Sequence, residues 1–221
     1  MELTGFAQWL NTSFYGFDHF ILSMLHDFAV LTSGHLTWLF KLITFLGEKG
    51  LLFILFSIFL MLFKKTRKVG ICMFGAIGCG AILTNFIIKD MVARPRPFMS
   101  EVLEYKEWWQ YIGSVAEDEF SFPSGHTTAI TAALMSIFFF SKSKKKYWVF
   151  LFIVLMGISR NYLMAHYPSD ILGGIVIGLV AAIIAFYITK LIYYILDKYE
   201  NKFFNFIKTF DIVDFIKEKR K

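Results

Sequence analysis

From residue 171 to residue 196 the chain carries almost no charge, and that run limits what it can fold into. Crossing the hydrocarbon core of a bilayer takes about twenty apolar residues of helix, so this stretch reads as a spanning helix. Four further segments qualify in the same way: 36–63, interrupted by GEKG at 47–50, then 69–92, 127–140 and 147–163. The 127–140 segment is short, so its helix is expected to begin nearer Ser124 and to end in outward-reaching lysines. Composition agrees: 57% hydrophobic residues, 19% aromatic residues and a mean hydropathy of +0.57 indicate an integral membrane protein.

Residues 17–30 (FDHFILSMLHDFAV) also show helical spacing, but Asp18, His19, His26 and Asp27 make burial in hydrocarbon costly. The segment is expected to lie in the membrane interface, with crossing as the alternative. Aromatics spaced among lysines give the C-terminal tail the same character, an amphipathic helix on a membrane surface. The opening MELTGFAQWLN lacks a basic start and a clean apolar core, so no cleavable leader is expected there. The expected fold is all-α: a polytopic membrane helical bundle of five to six transmembrane helices, with amphipathic interfacial helices at the termini. Its parts are an N-terminal interfacial segment at 1–35, a transmembrane domain at 36–196 and a cytoplasmic amphipathic tail at 197–221. Cys72 and Cys79 share one helix face out of disulfide reach and are expected to pack. Gly174 and Gly178, in small-xxx-small spacing, are expected to let helices approach closely.

A net charge of +6 raises nucleic acid as a partner, and the placement of the charges removes it. KKTRK at 64–68, SKSKKK at 141–146 and the tail all fall on one side of a five-span bundle. The positive-inside rule makes that side cytoplasmic. The connectors at 89–126 and 164–170 then face outward, and they hold the chemically unusual residues.

Three clusters stand out there: KDMVARPRP at 89–97, PSGH at 123–126 and SRNYLMAHYPSD at 159–170. Lys89, Arg94, Arg96 and Arg160 sit where the charge rule disfavours bases, which points to an anionic partner. Guanidinium forks and an ammonium suit phosphate oxygens. Arg94 is open between that role and headgroup contact. In PSGH, Ser124 and Gly125 open a helix whose N-terminus attracts an anion, with His126 in its first turn. His166 and Asp170 are four residues apart, close enough to meet on a helix or tight turn. A carboxylate on one imidazole nitrogen leaves the other as a nucleophile. A structural pair or a metal pair is the alternative, and the cationic neighbours oppose a metal.

Two histidines among bases suggest two-step phosphoryl transfer. His166 attacks phosphorus, His126 protonates the leaving oxygen and later helps activate water, and Asp170 stabilises His166 as it becomes cationic. The bases hold the equatorial oxygens. The sequence resembles the type-2 phosphatidic acid phosphatase superfamily of membrane lipid phosphatases. Its three-part signature is matched by Lys89…Arg96-Pro97, by Pro123-Ser124-Gly125-His126 and by Ser159-Arg160…His166…Asp170. The resemblance covers about 36–196. It implies His166 as nucleophile, His126 as acid and Asp170 as orienting group. It also implies Lys89, Arg96, Arg160, Ser124 and Gly125 as phosphate ligands, with no metal and no cofactor. Soluble vanadium haloperoxidases resemble the same motifs, but the membrane spans argue against their chemistry here. Arg94-Pro95 doubles the Arg-Pro motif, and only the six-residue spacing selects Arg96.

The expected partners are a lipid phosphate and membrane lipids, at a site facing outward from the cell membrane. Among bacterial members the resemblance offers undecaprenyl diphosphate, phosphatidylglycerol phosphate or phosphatidate, and the first is preferred. A lipid phosphotransferase and a non-catalytic scaffold are the rivals. Residues 101–120 are expected to cap the site or, through Trp108, Trp109 and Tyr111, to anchor in the headgroup zone.

Overall fold

The structure, a computed structural model, describes residues 3–117, 119–199 and 201–219, and it contains no strand among them. Helices α1 (Gly5–Ser13) and α2 (Tyr15–Leu31) come first, followed by α3 (Thr37–Leu46) and α4 (Leu51–Met61). Helix α5 (Arg67–Ala81) passes through a π-helical stretch, Ile82–Ile88, into the single turn α6 (Lys89–Val92). Helix α7 (Leu103–Tyr111) lies in the long connector, and α8 (Gly125–Phe140), α9 (Trp148–Tyr162) and α10 (Pro168–Lys198) follow. Two short helices, α11 (Lys202–Thr209) and α12 (Ile212–Lys219), close the chain.

Helices α5, α8 and α10 make the centre. Their shared core is built of small side chains: Cys72 and Ala76, Ala132, and Ala181, Ala182 and Ala185. Small residues let backbones come close, which is how helices gain contact where lipid gives no hydrophobic drive. At Gly174 an added Cβ would lie 2.7 Å from the Ser124 carbonyl oxygen, and at Gly178 2.6 Å from that of Thr128. The expectation for these two glycines is met: α10 runs directly along the backbone of α8.

Among the described residues two segments are long and apolar enough to cross a bilayer on their own, Arg67–Met99 and Pro168–Lys198. The α3–α4 pair, bent by 44° at GEKG, makes a third if it is one span. Against the expected five to six spans, two are clear among the described residues and the bent pair would make three. Helix α8 has 16 residues, about 24 Å of helix against a core of about 30 Å. Helix α9 has 15. Ser124 caps α8 at its start, and Arg160 lies in the last turn of α9.

The 17–30 segment is helical, and α2 packs across one end of the bundle. Asp18 in its first turn bonds the start of α10, and Phe28 near its end meets Tyr162 at the end of α9. The tail departs from the single expected helix. It is broken around Phe210 and Asp211, where buried Arg67 donates to the carbonyls of Ile207 and Phe210. Asp211 accepts from the backbone N–H groups of Lys64 and Val213. Those contacts satisfy helix-end groups and pin the tail to the start of α5.

Candidate active site

Each element brings its functional side chain to the same end of the bundle by a local device. The π-helical stretch ends at Lys89, which is buried. Ala93 takes a left-handed conformation and stops α6, and the Pro95 and Pro97 rings keep the following segment extended. Both arginines of this segment are turned inward and are about 1% exposed. Ser124 caps α8, accepting from the Thr127 N–H, and its own N–H donates to the Asp170 carbonyl at 3.1 Å. Of the donors expected from Ser124, the backbone N–H is thus committed to α10. An added Cβ at Gly125 would lie 3.7 Å from Asn85 Oδ1 and 3.9 Å from Lys89 Nζ. The α8 start and the lysine therefore adjoin.

His166 sits in the turn between α9 and α10, its carbonyl held by Asn161 Nδ2 at 2.9 Å. Asp170 occupies the third position of α10, behind Pro168, and closes a capping box by accepting the Tyr167 N–H at 2.8 Å. One carboxylate therefore both starts the helix and faces the imidazole. Nδ1 of His166 lies 3.6 Å from Asp170 Oδ2, slightly longer than a hydrogen bond. Asp170 also accepts from Ser121 Oγ and, at 2.7 Å, from Arg94.

The other imidazole nitrogen of His166, Nε2, is 3.3 Å from Arg96 Nη1. Burial, then the Arg96 charge, pull the His166 pKa down to about 3, so the ring is neutral at neutral pH. Arg96 is aimed by bonds to the carbonyls of Ala165 (2.7 Å) and Glu119 (2.7 Å).

The cations converge. Glu117 accepts from Arg160 with one oxygen and sits 3.0 Å from Arg96 with the other, and Glu119 pairs with Lys89. The two arginines hold the Glu117 carboxyl down at about 2, despite its burial. Among the described residues Arg160 Nε and Nη1 are buried without a hydrogen-bond partner. A pocket that binds two oxygens of a carboxylate between two guanidiniums, and still has donors to spare, suits a tetrahedral oxyanion. His126 borders it, with Nε2 3.4 Å from Glu48 in the GEKG break and the Arg160 charge close to its ring.

Residues 68–194 match the PAP2 superfamily. The chain belongs to that superfamily. The undecaprenyl-diphosphatase BcrC of Bacillus subtilis is 28% identical over 164 residues, covering 72% of this chain and 80% of that protein. Phosphatidylglycerophosphatase B of the same organism is 33% identical over 150 residues, covering 62% of this chain and 67% of its own. The crystal structure of a transmembrane PAP2 type phosphatidylglycerolphosphate phosphatase from Bacillus subtilis superposes with a TM-score of 0.62. It has 25% identity and covers 89% of this chain and 93% of that one. This chain is accordingly a membrane phosphatase of the PAP2 family.

Against the sequence reading, Lys89, Arg96, Arg160, His126, His166, Gly125 and Asp170 of the PAP2 motifs gather at one end. Arg94, read as a headgroup or phosphate contact, does neither. Its guanidinium is spent on Asn11, Ser169, Asp170 and Asp18. Glu48, Glu117, Glu119 and Asp18 were missed. The acidic run at 117–119 was visible in the connector, but nothing in the sequence tied it to particular bases. Residues 103–111 form a helix that buries Tyr105 and stacks Trp108 on His26 and Trp109 on Phe98.

Proposed function

We propose that this PAP2 enzyme hydrolyses a lipid phosphate or diphosphate at the outer membrane face through a phosphohistidine. The observation that carries the reading is the grip of Arg96 and Arg160 on one carboxylate beside Nε2 of His166. In the proposed reaction a phosphoryl group replaces that carboxylate, held by Arg96, Arg160 and Lys89 and by the start of α8 at Ser124 and Gly125. Nε2 attacks phosphorus. The N–P bond forms as the P–O bond breaks, the electron pair leaves with the oxygen, and His126 supplies the proton. Water then attacks the phosphohistidine, gives a proton to His126, and releases orthophosphate. The Asp170 carboxylate stabilises the positive charge that His166 acquires as the N–P bond forms.

We also infer that α8 and α9 cross with the two clear spans and the bent pair, while α2 lies in the interface. The lysine-rich connectors support a cytoplasmic position for the opposite end of the bundle. The substrate we infer is undecaprenyl diphosphate, cleaved to undecaprenyl phosphate, supported by the similarity to BcrC. Phosphatidylglycerol phosphate is the second reading, favoured by the phosphatidylglycerophosphatase B match and by the solved structure.

The test is turnover of both lipids by purified protein in EDTA, beside His166→Ala. Orthophosphate release that survives chelation, is lost in the variant and is faster for undecaprenyl diphosphate supports the reading. A higher kcat/KM for phosphatidylglycerol phosphate reverses the substrate choice. Release that persists in His166→Ala removes the nucleophile, and activity only with an added acceptor lipid makes the protein a phosphotransferase.

A further inference from the structure

Behind Asp170, away from the phosphate cations, a second charged layer is fully buried. Asp18 on α2 is 2% exposed and Arg94 is 1% exposed. Arg94 Nη1 donates to Asp170 Oδ1 at 2.7 Å, and its Nη2 donates to Asp18 Oδ2 at 2.9 Å. Ser169, next to Asp170 on the first turn of α10, accepts from Arg94 at 2.7 Å. It also donates to Asp18 from both its N–H (2.8 Å) and its hydroxyl (2.7 Å). Asn11 on α1 takes the Arg94 Nε donor at 2.8 Å, and the guanidinium lies 3.8 Å over the Tyr167 ring. Each of the three guanidinium nitrogens has a protein partner, and Asp170 is the one contact shared with the catalytic histidine.

We propose that Asp18 and Arg94 are positioning residues that act through Asp170: the N-terminal helix α2 supplies the buried counter-charge that fixes the carboxylate behind His166. The inference rests on the phosphohistidine reading above. A lone arginine would hold Asp170 in place but would also draw its negative charge away from the imidazole. Asp18 offsets that draw, so Asp170 is fixed yet still able to stabilise a cationic His166. A planar fork is needed because one group must reach two carboxylates in different directions, which a lysine ammonium does less well. The arrangement also gives α1 and α2 a reason to pack on the site end rather than elsewhere on the bundle.

The test is a double-mutant cycle between Asp18→Asn and Asp170→Asn. It is read by isotopic oxygen exchange between water and inorganic phosphate, a reaction that needs the phosphohistidine but no lipid. Rates are expressed per phosphate-binding site, counted with labelled orthophosphate, so that partial unfolding lowers the count and not the rate. Asp18→Asn is expected to slow exchange about tenfold at unchanged phosphate affinity, and to have no further effect once Asp170 is Asn. Equal losses in both backgrounds, or a loss confined to the site count, overturn the proposal. Should the Asp170→Asn rate fall below detection, nitrogen NMR of labelled histidine decides. Asp18→Asn then populates the Nε2-protonated tautomer of His166, and an unchanged Nδ1-protonated ring overturns the proposal. Should Asp18→Asn fail to fold, Asp18→Glu, which keeps the charge and moves the carboxylate, carries the same comparison. Wild-type protein that exchanges phosphate but hydrolyses no lipid sinks the lipid reading alone, whereas no exchange at all sinks the phosphohistidine.

Discussion

Nη1 of Arg96 lies 3.3 Å from Nε2 of His166. Together with burial, that cation keeps the imidazole neutral down to about pH 3, well below its ordinary 6.5. The unfolded chain binds a proton near pH 6.5 that the folded protein refuses until about 3. Between those values the unfolded state holds more protons, so this histidine's contribution to stability is lost as pH falls through that window. The Tm of wild-type protein is expected to drop from pH of about 7 to about 4 more steeply than that of His166→Gln. Parallel curves would show that His166 ionises normally.

Glu117 occupies the two cations that the proposed reaction assigns to the phosphoryl group. A neutral amide competes less well with an incoming dianion than a carboxylate held at both oxygens. Glu117→Gln is expected to lower the competitive Ki of orthophosphate roughly three- to tenfold. Competition assays against a lipid phosphate measure it, and a weaker Ki would mean that Glu117 orders the arginines rather than competing with phosphate.

Glu48 stands 3.4 Å from Nε2 of His126, the imidazole assigned as acid. Removing a carboxylate that orients an acid harms poor leaving groups most, because these depend on the proton. Glu48→Gln is expected to slow hydrolysis of an alkyl lipid phosphate about tenfold while leaving p-nitrophenyl phosphate nearly unaffected. Equal effects on both substrates would place Glu48 outside proton transfer.

Gly178 on α10 tests the packing of α10 on α8, and Gly78 on α5, outside that contact, serves as its control. A Cβ at Gly178 meets the Thr128 carbonyl at 2.6 Å, whereas one at Gly78 meets nothing within 4 Å. Gly178→Ala is expected to cost about 1–3 kcal/mol through overpacking and to lower activity by shifting the α8 start. Gly78→Ala is expected to be neutral or to gain up to about 1 kcal/mol from helix propensity. Thermal unfolding of the two variants checks this, and equal Tm values would remove the close contact.

The signature residues were legible because their spacing is set by short-range geometry. Asp170 must lie on the first turn of α10 to cap it, and that turn places it four residues from His166. Ser124 must precede α8 to cap that helix. The apolar runs likewise gave the central helices to within a few residues. The span count was less legible, because α8 and α9 are only 16 and 15 residues long and GEKG bends α3 against α4. The broken tail was not legible either. Its break depends on Arg67, more than a hundred residues away along the chain.

By itself the sequence determined that the chain is a helical membrane protein, and which residues make up the PAP2 signature. Both follow from local order: a run of side chains that cannot stay in water, and caps that must sit beside the helices they start. Only the tertiary structure decided how the charges pair. It gave Arg96 and Arg160 to Glu117, Lys89 to Glu119, His126 to Glu48, and Arg94 to Asp18 and Asp170. A buried charge needs an opposite charge, but sequence does not say which, because a partner is chosen by which helix ends the packing of α5, α8 and α10 brings together.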